Sequence, residues 1–169
     1  HRLAVEAARE VFAAREAVAE LFNTGDSSRI VFTWNATGAL NTALQGFLRS
    51  GGHVITSSME HNSVMRPLHT LRERGLIKYT VIPCSPRGEL DPDEVRKAAT
   101  KSTRLIVLTH ASNVCGTLLP VKEVKKLLPD IPLLVDSAQT AGVLPVDVQD
   151  AGIDMLAFSG HKGLYGPMG

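Results

Sequence analysis

What most constrains this chain is a rhythm: short, unbroken apolar runs alternate with stretches that are apolar on one helical face only. Residues 29–33, 53–57, 78–83, 104–109, 132–135 and 155–158 read as strands. Between them, 37–49, 63–74, 92–99 and 120–128 read as helices, and Leu3, Ala7, Val11, Ala14, Val18 and Leu21 mark an earlier helix over 2–22. Local signals agree: Gly75 is placed to end one helix, and Asp91-Pro92-Asp93-Glu94 reads as a capping box with proline at the first helical position. A strand buried on both faces has no polar alternation, so this pattern predicts an α/β three-layer sandwich with a mostly parallel sheet. In such sheets ligands bind beyond the carboxyl ends of the strands.

Bulk properties narrow the function classes. With 44% hydrophobic and 21% charged residues over 169 positions, one soluble globular domain is expected. Eighteen basic and 17 acidic side chains give a net charge of +1 with neither sign concentrated, which argues against nucleic acid and against a membrane surface. The chain lacks an initiator Met, shows no signal peptide and opens within a helical pattern, so residues are expected upstream. Cys84 and Cys115 form no framework; buried, inert thiols in a reducing cytoplasm are expected. Scattered acidic residues without paired histidines predict no metal site. No GxGxxG or GxxxxGK[ST] motif supports a nucleotide-binding module. The lone tryptophan, Trp34, is expected in the core.

The strand ends carry the chemistry. They read Trp34-Asn35-Ala36-Thr37-Gly38, Glu60-His61-Asn62-Ser63, His110-Ala111-Ser112-Asn113, Asp136-Ser137-Ala138-Gln139 and Ser159-Gly160-His161-Lys162-Gly163. Ala36 and Thr37 open a helix, where free N–H groups suit a phosphate, although Thr37 taken alone reads first as a plain cap. Asp136 follows a buried strand, where a carboxylate needs a partner: a protonated ring nitrogen, a metal or a lysine. It would serve as well in a salt bridge or a helix cap. Lys162 suits a nucleophilic amine, and also an ordinary loop lysine. Together a phosphate cradle, a carboxylate, amide donors and an amine are the parts that hold pyridoxal 5'-phosphate.

Five stretches in order resemble the class V aminotransferase family of fold-type I pyridoxal-phosphate enzymes, and within it the cysteine desulfurase and selenocysteine lyase group. They are 32–41, Met59-Glu60-His61-Asn62-Ser63, 109–117, Val135-Asp136-Ser137-Ala138-Gln139, and Ser159-Gly160-His161-Lys162 with Tyr165-Gly166-Pro167. The resemblance implies that Lys162 is the Schiff-base lysine and moves the substrate's α proton. It implies that Asp136 partners the pyridine nitrogen, Gln139 donates to the phenolic oxygen and His61 stacks on the ring. Ala36, Thr37, Ser159 and His161 would cradle the phosphate, and Asn113 would lie beside the phenolic oxygen and the substrate. It implies a cytoplasmic homodimer that takes L-cysteine, passes sulfur to an enzyme cysteine and then to an acceptor protein, and releases L-alanine. A selenocysteine lyase, another member of the family or an inactive isolated fragment is the alternative.

Two departures stand out. His161-Lys162-Gly163-Leu164-Tyr165-Gly166 has one residue more than the commoner form of that stretch, and Ala36 replaces a frequent hydroxyl residue. The persulfide cysteine and the carboxylate-binding arginine of the family match nothing here, and Cys115 does not fill the former role. Residues 1–169 therefore read as an incomplete cofactor-binding large domain.

Overall fold

The computed structural model describes residues 1–168. Strands β1 (Gly52–Ser57), β2 (Ile77–Ile82), β3 (Thr103–Thr109), β4 (Leu133–Asp136) and β5 (Met155–Ala157) form a single sheet in the order β2-β1-β3-β4-β5. Every pairing is parallel. The helices are α1 (Arg2–Leu21), α2 (Ala36–Phe47), α3 (Asn62–Glu73), α4 (Pro92–Ala98), α5 (Val121–Leu127) and α6 (Val148–Ala151).

Two cores flank the sheet. Val54, Leu105, Val107 and Leu134 pack with Leu40, Leu44, Val64 and Leu68 of α2 and α3 on one face. Ile55, Ile106, Leu108, Leu133 and Val135 pack with Val95, Val121 and Val124 of α4 and α5 on the other. Successive residues of one strand thus enter opposite cores, which is why the strands read as continuous apolar runs. Leu105 through Leu108 are all fully buried, each contributing roughly 1.5–3 kcal/mol of transfer free energy. The expected three-layer α/β sandwich is the observed one.

The helix ends follow their local chemistry, with one exception. At the end of α3, Gly75 takes φ +70°. Its N–H bonds the Arg72 carbonyl and the Leu76 N–H bonds that of Leu71, the paired pattern that closes a helix on glycine. Asp91 caps α4 by accepting from the Asp93 N–H at 2.9 Å. The reciprocal half of the capping box is absent, because Glu94 accepts from Lys97 at 2.6 Å instead.

Two expectations fail just before α2. Residues 29–33 are not a strand: Ser27–Arg29 is a 3-10 turn, and the Ile30 carbonyl accepts from Arg15 at 2.7 Å, not from a neighbouring strand. An apolar run becomes a strand only where an edge is available to pair with it, and here Val31 and Phe32 stay exposed. Trp34 is not in the core; it is 81% exposed, projecting from the turn that leads into α2.

Candidate active site

The ladder ends level. Thr109 pairs with Asp136, and Asp136 with Ala157, so the polar residues that follow β3, β4 and β5 emerge side by side. A cleft of about 230 Å³ opens at this rim. It is lined by Ala36, Thr37, His61, Asn113, Asp136, Gln139, Ser159, His161 and Lys162, all nine of the residues singled out in the sequence.

Each position has a local cause. Asn35, not Thr37, caps α2: its Oδ1 accepts from the Gly38 N–H at 2.8 Å. That releases Thr37 to face the cleft, where its hydroxyl lies 2.8 Å from that of Ser63. The Ala36 N–H reaches toward Ser159 Oγ at 3.4 Å and joins the start of α2 to the end of β5. His61 caps α3, with Nδ1 accepting from the Ser63 N–H at 3.1 Å and lying 2.8 Å from Ser63 Oγ. With Nδ1 an acceptor, the ring carries its proton on Nε2. The Ser63 hydroxyl then donates to His61 and accepts from Thr37.

Asp136 is 5% exposed and receives a hydrogen bond from the Ala138 N–H at 3.0 Å. Burial pushes its carboxyl up from the usual range, while that hydrogen bond and the charge of Lys162 pull it down. The turn after it is pinned by Ser137 and Thr140, whose hydroxyls lie 2.6 Å apart, and by His110 Nδ1, 2.9 Å from Thr140 Oγ1. Burial lowers the pKa of His110, so it stands neutral behind the site. Lys162 is exposed on the rim, not sunk in the floor. Its loop closes through Tyr165 N–H to the Lys162 carbonyl at 3.0 Å and Gly166 N–H to the Gly160 carbonyl at 2.8 Å.

The additional residue of that loop has a structural counterpart. A Cβ on Gly163 would lie 2.4 Å from the Ala141 carbonyl oxygen, and one on Gly142 would lie 2.6 Å from that of Gly163. Two backbones touch here, and the contact seats the lysine loop on the turn that follows Asp136.

Sequence reasoning missed two residues. Ser63 links Thr37 to His61, as above. Glu60 bridges the ends of two strands: its Oε1 accepts from Ser57 Oγ at 2.6 Å and from the Thr109 N–H at 2.9 Å. Burial, reinforced by the charge of Asp136, pushes its carboxyl up to about 8 against those hydrogen bonds. The signal that picked out Asp136, an acid just past a buried strand, applies equally to Glu60. Cys115 corrects an expectation: it is exposed, and hydrogen bonding with Thr117 and Ser112 lowers its thiol to about 7. Cys84 is only half-buried. A larger cleft of about 910 Å³ runs beside β5, but its charges are taken up by one another, Lys125 by Asp154 at 2.8 Å and Arg29 by Asp26 at 4.0 Å. Among the described residues no cluster of His, Cys, Asp or Glu could hold a metal.

Known proteins resemble the chain along its whole length. A probable cysteine desulfurase of Methanothermobacter thermautotrophicus is 40% identical over the whole of this chain and 42% of its own length. A cysteine desulfurase of Dictyoglomus turgidum is 37% identical over the whole chain and 44% of its own. The chain therefore spans less than half the length of these curated relatives. Among solved structures, the apo cysteine desulfurase of Thermococcus onnurineus superposes with a TM-score of 0.92 at 33% identity, over all of this chain and 43% of that one. A structure described as SspA in complex with cysteine gives 0.93 at 35% identity, over all of this chain and 50% of that one. The model of the family described as aminotransferase class-V matches residues 1–169, with no part of the sheet or rim outside it. On the match over its full length and the sheet it shares with these enzymes, the chain belongs to the class V aminotransferase family.

Proposed function

We propose that this protein is a pyridoxal-phosphate-dependent cysteine desulfurase, transferring sulfur from L-cysteine to an enzyme cysteine and releasing L-alanine. The observation that carries the reading is a buried carboxylate, Asp136, and an exposed amine, Lys162, on one small cleft headed by the start of α2. The residues fit the cofactor. Asp136 is short of a counter-charge: burial raises its pKa and, among the described residues, it takes a single hydrogen bond, so a protonated ring nitrogen would complete it. The Ala36 N–H, the Thr37 and Ser159 hydroxyls and His161 offer donors to a phosphate at a helix N-terminus. Asn113 and Gln139 offer amides for the phenolic oxygen.

When bound, the cofactor supplies an electrophilic aldehyde and an electron sink. The chain's own residues do the rest. Lys162 would hold that aldehyde through its amine, and the same amine would serve as the base at the substrate's α carbon. Asp136 would hold a proton on the ring nitrogen, and His61 has its ring set by Nδ1 tied to Ser63. The names of the relatives favour L-cysteine as substrate, and one of the structural neighbours is described in complex with cysteine. We read residues 1–169 as the cofactor-binding large domain, with the persulfide cysteine and the carboxylate-binding arginine outside this sequence. Exposed Val11, Phe12, Phe32 and Trp34 are the surface we assign to homodimer contact, and sulfur would leave to an acceptor protein in the cytoplasm.

The test is direct. Pyridoxal phosphate added to the intact protein should raise an absorbance band that Lys162→Ala abolishes, and L-cysteine should yield alanine and, with a reductant, sulfide. A band without turnover of cysteine, together with selenide release from selenocysteine, would replace the desulfurase reading by a selenocysteine lyase.

A further inference from the structure

Glu60 Oε2 is buried without a hydrogen-bond partner, the single such side-chain atom among the described residues. Both hydrogen bonds to this carboxyl enter the other oxygen, from Ser57 and from the Thr109 N–H. No lysine or arginine forms an ion pair with it among the described residues. An ionised carboxylate would leave half its charge bare in a dry site, which is the costliest way to bury an acid. A neutral acid costs less there: Oε1 is then the carbonyl oxygen, an acceptor twice over, and Oε2 a hydroxyl that lacks a partner but carries no charge.

The neighbours are ordered across the sheet. Glu60 follows β1 and binds the Thr109 N–H on β3; Thr109 pairs in register with Asp136 on β4. The two acids therefore flank the end of β3, Glu60 from the β1 side and Asp136 from β4. The other titratable groups near by are His61, next in sequence and turned to Ser63, and His110, next to Thr109 and turned to Thr140. Neither bonds Glu60.

We infer that Glu60 is a positioning residue that stays protonated, pinning the end of β1 to that of β3 and leaving Asp136 as the one anion on the cleft floor. This deepens the proposed function and rests on its assignment of Asp136 to the cofactor nitrogen. Burial and the charge of Asp136 act in the same direction on Glu60. What the site needs from position 60 is then an acceptor oxygen of the right reach, not a charge.

Infrared spectroscopy of the intact protein with ¹³C-labelled glutamate tests this. At neutral pH the spectrum should show the carbonyl stretch of a protonated carboxylic acid, lost in Glu60→Gln and lost in the wild type as pH rises past about 8. Glu60→Gln keeps the acceptor and should bind pyridoxal phosphate within about twofold of wild type. Glu60→Ala removes both hydrogen bonds and should weaken binding roughly tenfold or more. Absence of the protonated band at neutral pH, or loss of cofactor affinity in Glu60→Gln as large as in Glu60→Ala, overturns the inference. Neither readout requires turnover of cysteine, so a failed desulfurase assay leaves it standing.

Discussion

The contact between Gly142 and Gly163 gives the sharpest mutational prediction, because three alanine substitutions separate its parts. At Gly75 the backbone is left-handed, φ +70°, and nothing lies within 4 Å of an added Cβ. Gly75→Ala should cost only the conformational penalty, about 1 kcal/mol. Gly163 has no such φ, but its Cβ would sit 2.4 Å from the Ala141 carbonyl oxygen and 2.6 Å from Val143 Cγ2. One backbone segment must retreat by roughly 0.5–1 Å, and Gly163→Ala should cost about 1–3 kcal/mol as overpacking. Gly142 combines both, with φ +79° and a Cβ 2.6 Å from the Gly163 carbonyl oxygen, so Gly142→Ala should be the worst of the three. The double variant should cost less than the sum of the singles, since the first retreat opens room for the second methyl. Denaturant titration measures the series. Cofactor occupancy adds a second axis: Gly163→Ala and Gly142→Ala displace the loop of Lys162, whereas Gly75 lies just before β2, at the opposite end of the sheet. If Gly163→Ala matched Gly75→Ala in both stability and occupancy, the backbone contact would not be what seats the lysine.

Other predictions are briefer. A glutamate raised from its ordinary 4.5 to about 8 contributes stability that is complete below pH 4.5 and lost as pH climbs to about 8, so wild type should lose up to roughly 5 kcal/mol relative to Glu60→Gln across that window, read by denaturation at several pH values. Cys115 should be alkylated before Cys84 near pH 7, shown by mass spectrometry of partly modified protein; equal rates would refute the exposed, thiolate-rich setting. Leu44→Ala removes a fully buried side chain between α2 and the sheet and should cost about 2–5 kcal/mol by denaturant titration. Asp136→Asn removes the charge that the proposed function assigns to the ring nitrogen while keeping the Ala138 contact, so the fold should persist and cofactor affinity fall by roughly tenfold or more, measured by equilibrium dialysis.

The sequence foretold most of this architecture because its strands are buried on both faces. Such runs carry a long-range fact, coverage from two sides, in a local pattern. Residues 29–33 show where that logic stops, since an apolar extended run looks the same whether or not an edge receives it. Trp34 and Cys115 failed for a related reason: burial belongs to the fold, and a residue in a turn at the rim is exposed whatever its hydrophobicity. Asp136, Lys162 and His61 were visible as polar residues just past apolar strands. Glu60 carried the same mark, yet its significance lies in a hydrogen bond to an amide 49 residues away.

The level ends of the strands also have a kinetic meaning. The cleft draws on Thr37, His61, Asn113, Asp136 and Lys162, and the contact of Ala36 with Ser159 spans 123 positions. Pairings this distant close late in folding, because the entropy of the intervening loops is spent before any contact repays it. No smaller part of the chain possesses the cleft. Capture of a ligand there reports that the last strand has docked, and by mass action it also locks the strand in place.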